Sequence, residues 1–326
     1  MAFVDFRPNA WFLLAGVLLD LILGDPYYPA HPVRLIGWTL ARIEHGLRRV
    51  GLNGYLGGIL LFLLLASAWV GIICLLLFSL PLAAGSLFHV FLVYSFVALR
   101  DLLRHGWNVE KAAEGDDLPV AREAIAKLVG RDTARMDIAG CRRAAIESLS
   151  ENLTDGFVSP IFWYAVAGLP GLALFKIVST MDSMVGYKTP QYLRFGWCGA
   201  RADDLMNWIP ARLTWLLISV LAAIMPGFSG RKALVIGWHQ HSVVPGPNSG
   251  WSEAAAAGAI SRKLIGPIWA HGKLVTDLWL GDPSDPPASS ARDFRRAVVL
   301  IAATGLTFTA LAFVAISTIW GLARLP

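Results

Sequence analysis

Three carboxylates recur at intervals of four residues in the stretch ESLSENLTDG, as Glu147, Glu151 and Asp155. If this stretch is helical, each carboxylate is rotated by only about 40° from the previous one, so the three form a single acidic stripe with Asn152 beside it. Oxygen ligands of this kind suit Mg²⁺, which usually binds phosphate oxygens as well. The alternative is a solvated helix end in which Glu147 pairs with Arg143, four residues earlier.

The stretch 179–213 is the richest in polar side chains. Asp203 and Asn207 are four residues apart and so share a helical face, where they could hold a second divalent cation. Basic side chains nearby could neutralise phosphate charge, and polar groups this close to a bilayer are functional candidates by default. The alternative is internal pairing, such as Arg201 with Asp204. The candidates of this stretch are Asp182, Lys188, Arg201, Asp203, Asp204, Asn207 and Arg212.

Two loops supply further candidates. The loop GDPYYPAHPVRLIG places His31 and Arg34 among prolines, which stiffen it; the alternative is an interfacial turn with an aromatic belt. The loop PNSGWSE, with Asn248 and Glu253, leads into an alanine-rich segment, and a loop that feeds a helix N-terminus is a natural anion site. The chain lacks the phosphate-binding pattern G-x-x-x-x-G-K-[ST], so a nucleotide would bind here by no common loop.

The composition indicates which elements must position these residues. Of the 326 residues, 56% are hydrophobic and only 16% are charged, whereas a soluble domain carries about 25% charged residues. Residues 50–99, 156–175, 213–230 and 297–323 contain no Asp, Glu, Lys or Arg, and about 20 apolar residues suffice to cross a bilayer. We therefore predict an all-α, polytopic integral membrane protein with four to six membrane spans, helical cytoplasmic loops and one catalytic domain over residues 1–326.

The basic residues indicate orientation rather than nucleic-acid binding. The net charge is +5, but Lys and Arg are spread among the segments between apolar runs instead of forming one arm or stripe. Arg34, Arg42, Arg48 and Arg49 follow the first apolar segment. The positive-inside rule then places this loop in the cytoplasm.

One apolar run is expected to turn back on itself. The opening apolar segment, two passes within residues 50–99 and the three later runs make six candidate spans. If all six crossed the membrane, the loop 182–212 would lie opposite the loops 25–53, 100–155 and 230–296, although we expect all four loops to contribute to one site. The run 156–181 is interrupted by two prolines and two glycines after its start. A broken helix or re-entrant hairpin near residues 156–181 would return the chain to the same side.

The ordered motifs resemble a known family. GDPYYPAHPVRLIG, VGRDT, ESLSENLTDGFVSPIFW, MDSMVGYKTPQYLRFGWCGARADDLMNWIPARLT and PNSGWSEAAAAGA follow one another along the chain. They are similar to the successive signature blocks of the cobalamin-biosynthesis membrane protein family, adenosylcobinamide-phosphate synthase (CobD/CbiB). The resemblance covers the chain from about residue 15 to residue 285.

The resemblance implies an all-helical protein of the bacterial inner membrane with its active site facing the cytoplasm. It implies an ATP-dependent carbon–nitrogen ligase that joins adenosylcobyric acid to (R)-1-aminopropan-2-ol O-phosphate or aminopropanol, forming adenosylcobinamide (phosphate). The expected partners are the corrinoid substrate, the amine, the lipid bilayer and other membrane-associated enzymes of cobalamin assembly, with no nucleic acid. The expected cofactors are ATP and Mg²⁺.

This chemistry assigns a hypothetical role to each candidate. Phosphate transfer depends mainly on Mg²⁺ and on Arg or Lys held against developing charge, and the attacking amine must lose a proton. We expect three groups of residues. Metal and nucleotide would be held by Glu147, Glu151, Asp155, Asp203 and Asp204. Cofactor-binding residues would be Arg34, Asn152, Arg201, Asn207, Arg212, Asn248 and Glu253. Catalytic residues would be His31, Asp182 and Lys188, with His31 or Asp182 as the proton acceptor.

Two functions of other classes remain open. An intramembrane prenyltransferase also uses carboxylates at helical spacing with Mg²⁺, but it needs two D-x-x-x-D-type motifs, which ENLTDG and RADDLMN imitate only loosely. A transporter, or a sensor of the related cell-wall signalling type, should place its ionisable groups at mid-membrane and show an internal repeat. Binding or hydrolysis of ATP would argue against the prenyltransferase, and corrinoid uptake without conversion would favour the transporter.

Overall fold

The chain is predominantly helical in the computed structural model, which describes residues 5–270 and 272–322. Within these residues, short strands occur only between Leu264 and Leu280. The helices are α1 (Ala10–Leu23), α2 (Pro32–Arg49), α3 (Tyr55–Ser79), α4 (Leu82–Phe96), α5 (Leu99–Glu114), α6 (Leu118–Ala126), α7 (Ile138–Leu153), α8 (Ser159–Val185), α9 (Trp197–Ile224), α10 (Gly230–Gln240), α11 (Ser249–Ile260) and α12 (Ala291–Leu322). The strands are β1 (Leu264–Ile265), β2 (Ile268–Ala270), β3 (Lys273–Thr276) and β4 (Trp279–Leu280).

Five helical segments of the described chain are long and apolar enough to cross a membrane. They are Tyr55–Ser79, Leu82–Glu114, Ile138–Val185, Trp197–Ile224 and Ala291–Gly321. Helix α1 is apolar but has only 14 residues, a length of about 21 Å against a hydrocarbon core of about 30 Å. The predicted all-α, polytopic membrane protein with four to six spans is confirmed.

The chain divides into two compact units. The first unit comprises the described residues of Met1–Ala98, Ser159–Asn207 and Thr309–Pro326, and the second comprises Leu99–Val158 and Trp208–Phe308. Helices α1 to α4 and α8 belong to the first unit, where α8 packs against α2, α3 and α4. Helices α5 to α7, α10 and α11 belong to the second unit, together with the strands. That the whole chain works as one catalytic domain stays a prediction.

Helix α8, in the first unit, reverses direction near its middle. Ala167 and Gly168 leave helical geometry, and Gly168 has φ 64° and ψ −152°, a conformation that is essentially restricted to glycine. Ser159 at one end donates to the Asn207 Oδ1 atom over 2.5 Å, while Asp182 near the other end lies against Gly199. A straight helix would separate Ser159 from Asp182 by about 35 Å, so both arms can meet one stretch of α9 only because the helix folds back.

The two arms of α8 share one apolar core. Phe175 and Val178 of the second arm form a buried cluster with Met206 of α9, and Trp163 of the first arm packs against the same cluster. The indole N–H of Trp163 also donates to the Met206 carbonyl over 3.0 Å. The hairpin predicted near residues 156–181 is therefore present in the first unit, with its turn at Ala167–Gly168.

The second unit is built around α7. Asp137 caps this helix by accepting a hydrogen bond from the Gly140 N–H over 2.6 Å, as N-cap aspartates typically do. The helix packs against α5, α6, α11 and β1, and Cys141 on it is fully buried. Strand β1 pairs with β4 and β2 pairs with β3, both in antiparallel fashion. These short strands lie in the polar stretch 230–296, and β1 places its backbone against α7.

Candidate functional site

A cavity of about 250 Å³ in the second unit is lined by three glutamates and one arginine. Glu147 and Glu151 extend from α7, Glu253 extends from α11, and Arg131 lies in the loop before α7. Glu147 and Glu253 are both buried. A buried charge destabilises the fold unless it is paired. Carboxylates buried together in this cavity therefore need partners.

Both carboxylate oxygens of Glu147 accept hydrogen bonds. Arg131 donates from Nη2 to the Oε2 atom of Glu147 over 2.5 Å, and the backbone N–H of Ile265 donates to Oε1 over 2.7 Å. The alternative pairing of Glu147 with Arg143 is therefore wrong. Arg143 is on the same helix, whereas Arg131 reaches Glu147 from a preceding loop that sequence spacing does not locate.

Glu253, on α11, is buried close to the other two glutamates of the cavity. Burial raises the pKa of Glu253 well above its ordinary value, the negative charges of Glu151 and Glu147 raise it further, and Arg131 opposes them. Asp155 adds a smaller contribution in the same direction. One guanidinium thus faces three glutamates, whose ionised forms would repel one another unless a cation lay among them.

The predicted acidic stripe changes its helical form at its end. Glu147 and Glu151 are on α7, but Asp155 lies in a π-helical turn formed by Thr154–Val158, an element that is frequent at functional sites. Asn152 turns its amide nitrogen back to the Ser148 carbonyl over 2.8 Å. The structure therefore brings the three stripe carboxylates near Glu253, while the amide group of Asn152 is held by its own helix.

A second polar cluster forms in the first unit, on α9. Asn207 accepts a hydrogen bond from Ser159, and its Nδ2 atom donates to Asp203 Oδ2 over 2.9 Å. Asp182 interacts electrostatically with Asp203. The predicted sharing of one face by Asp203 and Asn207 is confirmed, and the reversal of α8 adds Ser159 and Asp182 to that face.

Other candidates of the stretch 179–213 are engaged locally or exposed. Arg201 pairs with Asp204 over 2.9 Å, which is the internal pairing weighed from the sequence. Lys188 is exposed, in the irregular segment after α8. In the second unit, the Arg212 guanidinium lies over the rings of Trp208 and Trp251, at 4.3 and 4.8 Å.

The loop candidates have partners too. Arg212 donates to Asn248 Oδ1 over 3.3 Å, within the second unit. In the first unit, buried His31 places its Nε2 atom 3.0 Å from Asp25 Oδ1, and exposed Arg34 stacks on the Tyr27 ring at 3.4 Å. Each proposed role for these side chains in binding or catalysis stays a prediction.

Across residues 5–270 and 272–322, no three His, Cys, Asp or Glu side chains are arranged as a ready set of metal ligands. The donor chemistry nevertheless suits Mg²⁺, since the cavity in the second unit offers carboxylate oxygens, and Mg²⁺ commonly takes one or two carboxylates with waters and phosphate oxygens. Glu151 and Glu253 are the cavity glutamates left to serve it, because Glu147 is engaged by Arg131 and Ile265. Asp155 lies close enough to Glu253 to join them.

Arg131 and Ile265 also line this cavity, and neither is among the candidates that the sequence indicates. Arg131 stands in VGRDT, a motif that contributed to the family resemblance but carried no site assignment. Ile265 is 118 residues away from Glu147 along the chain, and a backbone N–H has no signature in a sequence. The motif itself was the one signal that could have drawn attention to Arg131.

Comparison with known proteins gives consistent matches over most of the chain. Residues 13–301 match the family described as CobD/Cbib protein. A protein of Geobacter metallireducens is 42% identical over 284 residues, covering 86% of this chain and 88% of its own. Proteins of Pelobacter propionicus and Rhodobacter capsulatus are each 40% identical, covering 85% and 89% of this chain and 86% and 94% of their own. All three are named "Cobalamin biosynthesis protein CobD".

No solved structure matches the chain. The family match covers far more than half of the sequence, and it includes both arms of α8, the carboxylate cavity of the second unit and the polar cluster on α9. The chain therefore belongs to the CobD/Cbib protein family.

Proposed function

We propose that the chain is an ATP-dependent amide ligase of cobalamin biosynthesis. It would join the carboxylate of adenosylcobyric acid to the amine of 1-aminopropan-2-ol O-phosphate or aminopropanol, giving adenosylcobinamide phosphate or adenosylcobinamide. Membership of the family supports the pathway. The observation that carries the reaction type is the cavity in which Glu147, Glu151 and Glu253 face Arg131.

The cavity suits a reaction that moves phosphate. A carboxylate does not condense with an amine in water until one of its oxygens becomes a leaving group. Attack of the corrinoid carboxylate on ATP would form an acyl phosphate with release of ADP, or an acyl adenylate with release of diphosphate. Attack of the amine on the activated carbonyl would then form the amide and release phosphate or AMP, with one proton lost from nitrogen.

Named residues would position the phosphates. Bound Mg²⁺ would supply charge neutralisation on the phosphate oxygens, and Glu151, Glu253 and Asp155 would hold it in the second unit. Arg131, fixed by Glu147, would present its remaining N–H groups to a phosphate oxygen. Asp203 and Asp204 are proposed as carboxylates for nucleotide and metal in the first unit, with Asn207 orienting Asp203.

Two groups are proposed to accept the proton of the incoming ammonium. His31 is proposed because its imidazole is buried, with Nε2 3.0 Å from Asp25 Oδ1, and because histidine is the most frequent general base. Asp182 is the alternative acceptor, because it lies beside Asp203 and forms no salt bridge within the part of the first unit that the structure describes. Lys188, Arg34, Arg201 and Arg212 are proposed to contact phosphate groups.

The decisive experiment uses the purified full-length protein in lipid nanodiscs with ATP, Mg²⁺, adenosylcobyric acid and aminopropanol phosphate. The expected result is the amide product by mass spectrometry, with one equivalent of ADP or AMP, whichever the activation chemistry produces. Glu151→Gln should reduce turnover by at least about 100-fold, the scale on which the loss of one preorganised electrostatic group affects catalysis.

The matched control is Glu123→Gln, which also removes one carboxylate in the second unit. The Glu123 side chain is 72% exposed and pairs with Lys127 on the same surface, so its variant should keep wild-type turnover. Full activity of both Glu151→Gln and Glu253→Gln would refute the assignment of the cavity. Corrinoid uptake into vesicles without amide formation would favour the transporter instead.

A further inference from the structure

A second cavity of about 320 Å³ in the second unit lies beside the carboxylate cavity and shares two residues with it, Arg131 and Ile265. This volume falls within the range of small-molecule sites. Its character is basic rather than acidic. The charged and aromatic side chains that line it are Arg131, Asp132, Arg135, Asp137, Arg143 and Trp269.

The two acidic side chains of this cavity accept hydrogen bonds from backbone N–H groups. Asp132 accepts a hydrogen bond from the Gly272 N–H over 2.8 Å, and its own N–H donates to the Trp269 carbonyl over 2.9 Å. Asp137 accepts from the Gly140 N–H as the cap of α7. Both carboxylates therefore hold the walls of the cavity in place, and neither forms an ion pair with an arginine of the cavity within the described ranges.

The arginines, by contrast, still have N–H groups that could donate hydrogen bonds to a ligand. Arg143 donates from Nη1 to the Ala288 carbonyl over 3.4 Å, and Arg135 lies over the Trp269 ring at 4.0 Å. Neither forms a salt bridge to any residue of 5–270 or 272–322. The Nε atoms of Arg131 and Arg143 are buried without a hydrogen-bond partner in the same ranges. A buried N–H without a partner costs free energy, which an anionic ligand would recover.

We propose that this basic cavity binds the phosphate groups of a ligand, with Arg135 and Arg143 as the principal contacts and Arg131 linking it to the carboxylate cavity. Guanidinium groups suit phosphate oxygens because they donate two hydrogen bonds in one plane. Arg131 would contact phosphate on one side while Glu147 holds it on the other. Metal-binding carboxylates and phosphate-binding arginines would then be neighbours, as a nucleotide with bound Mg²⁺ requires.

The inference rests on the proposed function for the identity of the ligand, but the phosphate chemistry can be tested alone. The ligand would be the triphosphate of ATP or the phosphate monoester of the amine substrate. Binding is measured by calorimetry on the full-length protein in phosphatidylcholine nanodiscs, with chelator present. The probes are tripolyphosphate, ATP and aminopropanol phosphate, each titrated separately.

Arg135→Gln and Arg143→Gln should each weaken binding of the preferred probe by roughly 10- to 100-fold, as expected for the loss of hydrogen bonds to a charged group. Arg143→Lys keeps the charge and should lose less. The matched control is Arg231→Gln, since Arg231 is an exposed arginine of the same unit that does not line the cavity. Unchanged protection of the buried Cys141 thiol from a labelling reagent shows that each variant is folded.

The results distinguish the phosphate-binding proposal from the proposed ligase function. Weaker binding of tripolyphosphate and ATP assigns the cavity to the nucleotide, and weaker binding of aminopropanol phosphate alone assigns it to the amine; both support the proposal. Equal losses in Arg231→Gln, or no loss in folded Arg135→Gln and Arg143→Gln, would overturn it. In a repeat with nanodiscs that contain phosphatidylglycerol, loss of probe binding only in the wild-type protein would show that the arginines bind lipid headgroups, and this would also overturn the proposal. Amide formation with an unchanged KM for both phosphorylated substrates in the cavity variants would leave the ligase standing and refute the phosphate site.

Discussion

Removing the charge of Arg131 should weaken the second unit more than any surface substitution. The Arg131 and Glu147 side chains are only 14% and 9% exposed, and they meet at 2.5 Å. Arg131→Gln would leave Glu147 buried, with the Ile265 N–H still donating to it. Breaking a buried pair in this way costs about 3–5 kcal/mol. The slight exposure of both partners places the expected loss near the lower end, at about 3 kcal/mol.

The thiol of Cys141 provides the assay. Cys141 is fully buried on α7, the helix that carries Glu147, and the other two cysteines can be replaced by alanine at Cys74 and Cys198. Labelling of Cys141 then requires opening of the second unit. A loss of about 3 kcal/mol raises the open population, and hence the labelling rate, by about 100-fold when opening and closing are fast.

Two further variants test the reasoning. Lys127→Gln removes a basic partner from an exposed pair with Glu123 and should change the labelling rate by less than about fivefold. The double variant Arg131→Gln/Glu147→Gln removes the uncompensated charge and should label more slowly than Arg131→Gln alone. The account of the buried pair is refuted if Arg131→Gln labels no faster than Lys127→Gln, or if the second substitution gives no recovery.

Two more predictions concern the turn of α8 and the buried glutamate. A Cβ atom at Gly168 would lie 2.1 Å from the Phe6 carbonyl oxygen, at a φ of +64°, so Gly168→Ala should lower stability by at least about 1–3 kcal/mol. Gly71→Ala, with open space around it, should not lower the unfolding temperature, and equal temperatures for the two variants would contradict the prediction. Because the folded pKa of Glu253 is raised, the folded protein holds a proton that the unfolded chain releases, and stability should fall as pH rises above the ordinary carboxyl range. Glu253→Gln should flatten this fall in a thermal melt from pH 5 to pH 8, and a variant curve that runs parallel to the wild-type curve would contradict this.

The all-α class and the hairpin of α8 could be predicted because both depend on residues within one short stretch of sequence. Long runs without charge indicate membrane helices whatever their packing partners. Gly168 and Pro170 interrupt an otherwise continuous apolar run, and both residues disfavour a straight helix. The short strands between Leu264 and Leu280 could not be predicted in the same way, since strands of two to four residues are too short for a period to show.

The sequence predicts which carboxylates belong to the candidate site, but it does not predict which arginine pairs with Glu147. Spacing places Glu147 and Glu151 on one face of a helix, and the structure places them there. Spacing equally offers Arg143 as the partner of Glu147, yet Arg131 takes that place. The choice depends on how the loop before α7 and the strand β1 pack onto the helix, which is a tertiary effect that no local pattern contains.

The reversal of α8 also constrains the order in which the chain can mature. During synthesis, the insertion machinery meets α8 in a stretch whose first 20 residues, 156–175, carry no charge, which is long enough for release into lipid as an ordinary crossing. The residues that hold its two arms together, Gly199 to Asn207, are made only afterwards. The hairpin must therefore wait for α9 to emerge, and a ribosome that stalls between the two helices would leave α8 free to insert in the wrong topology.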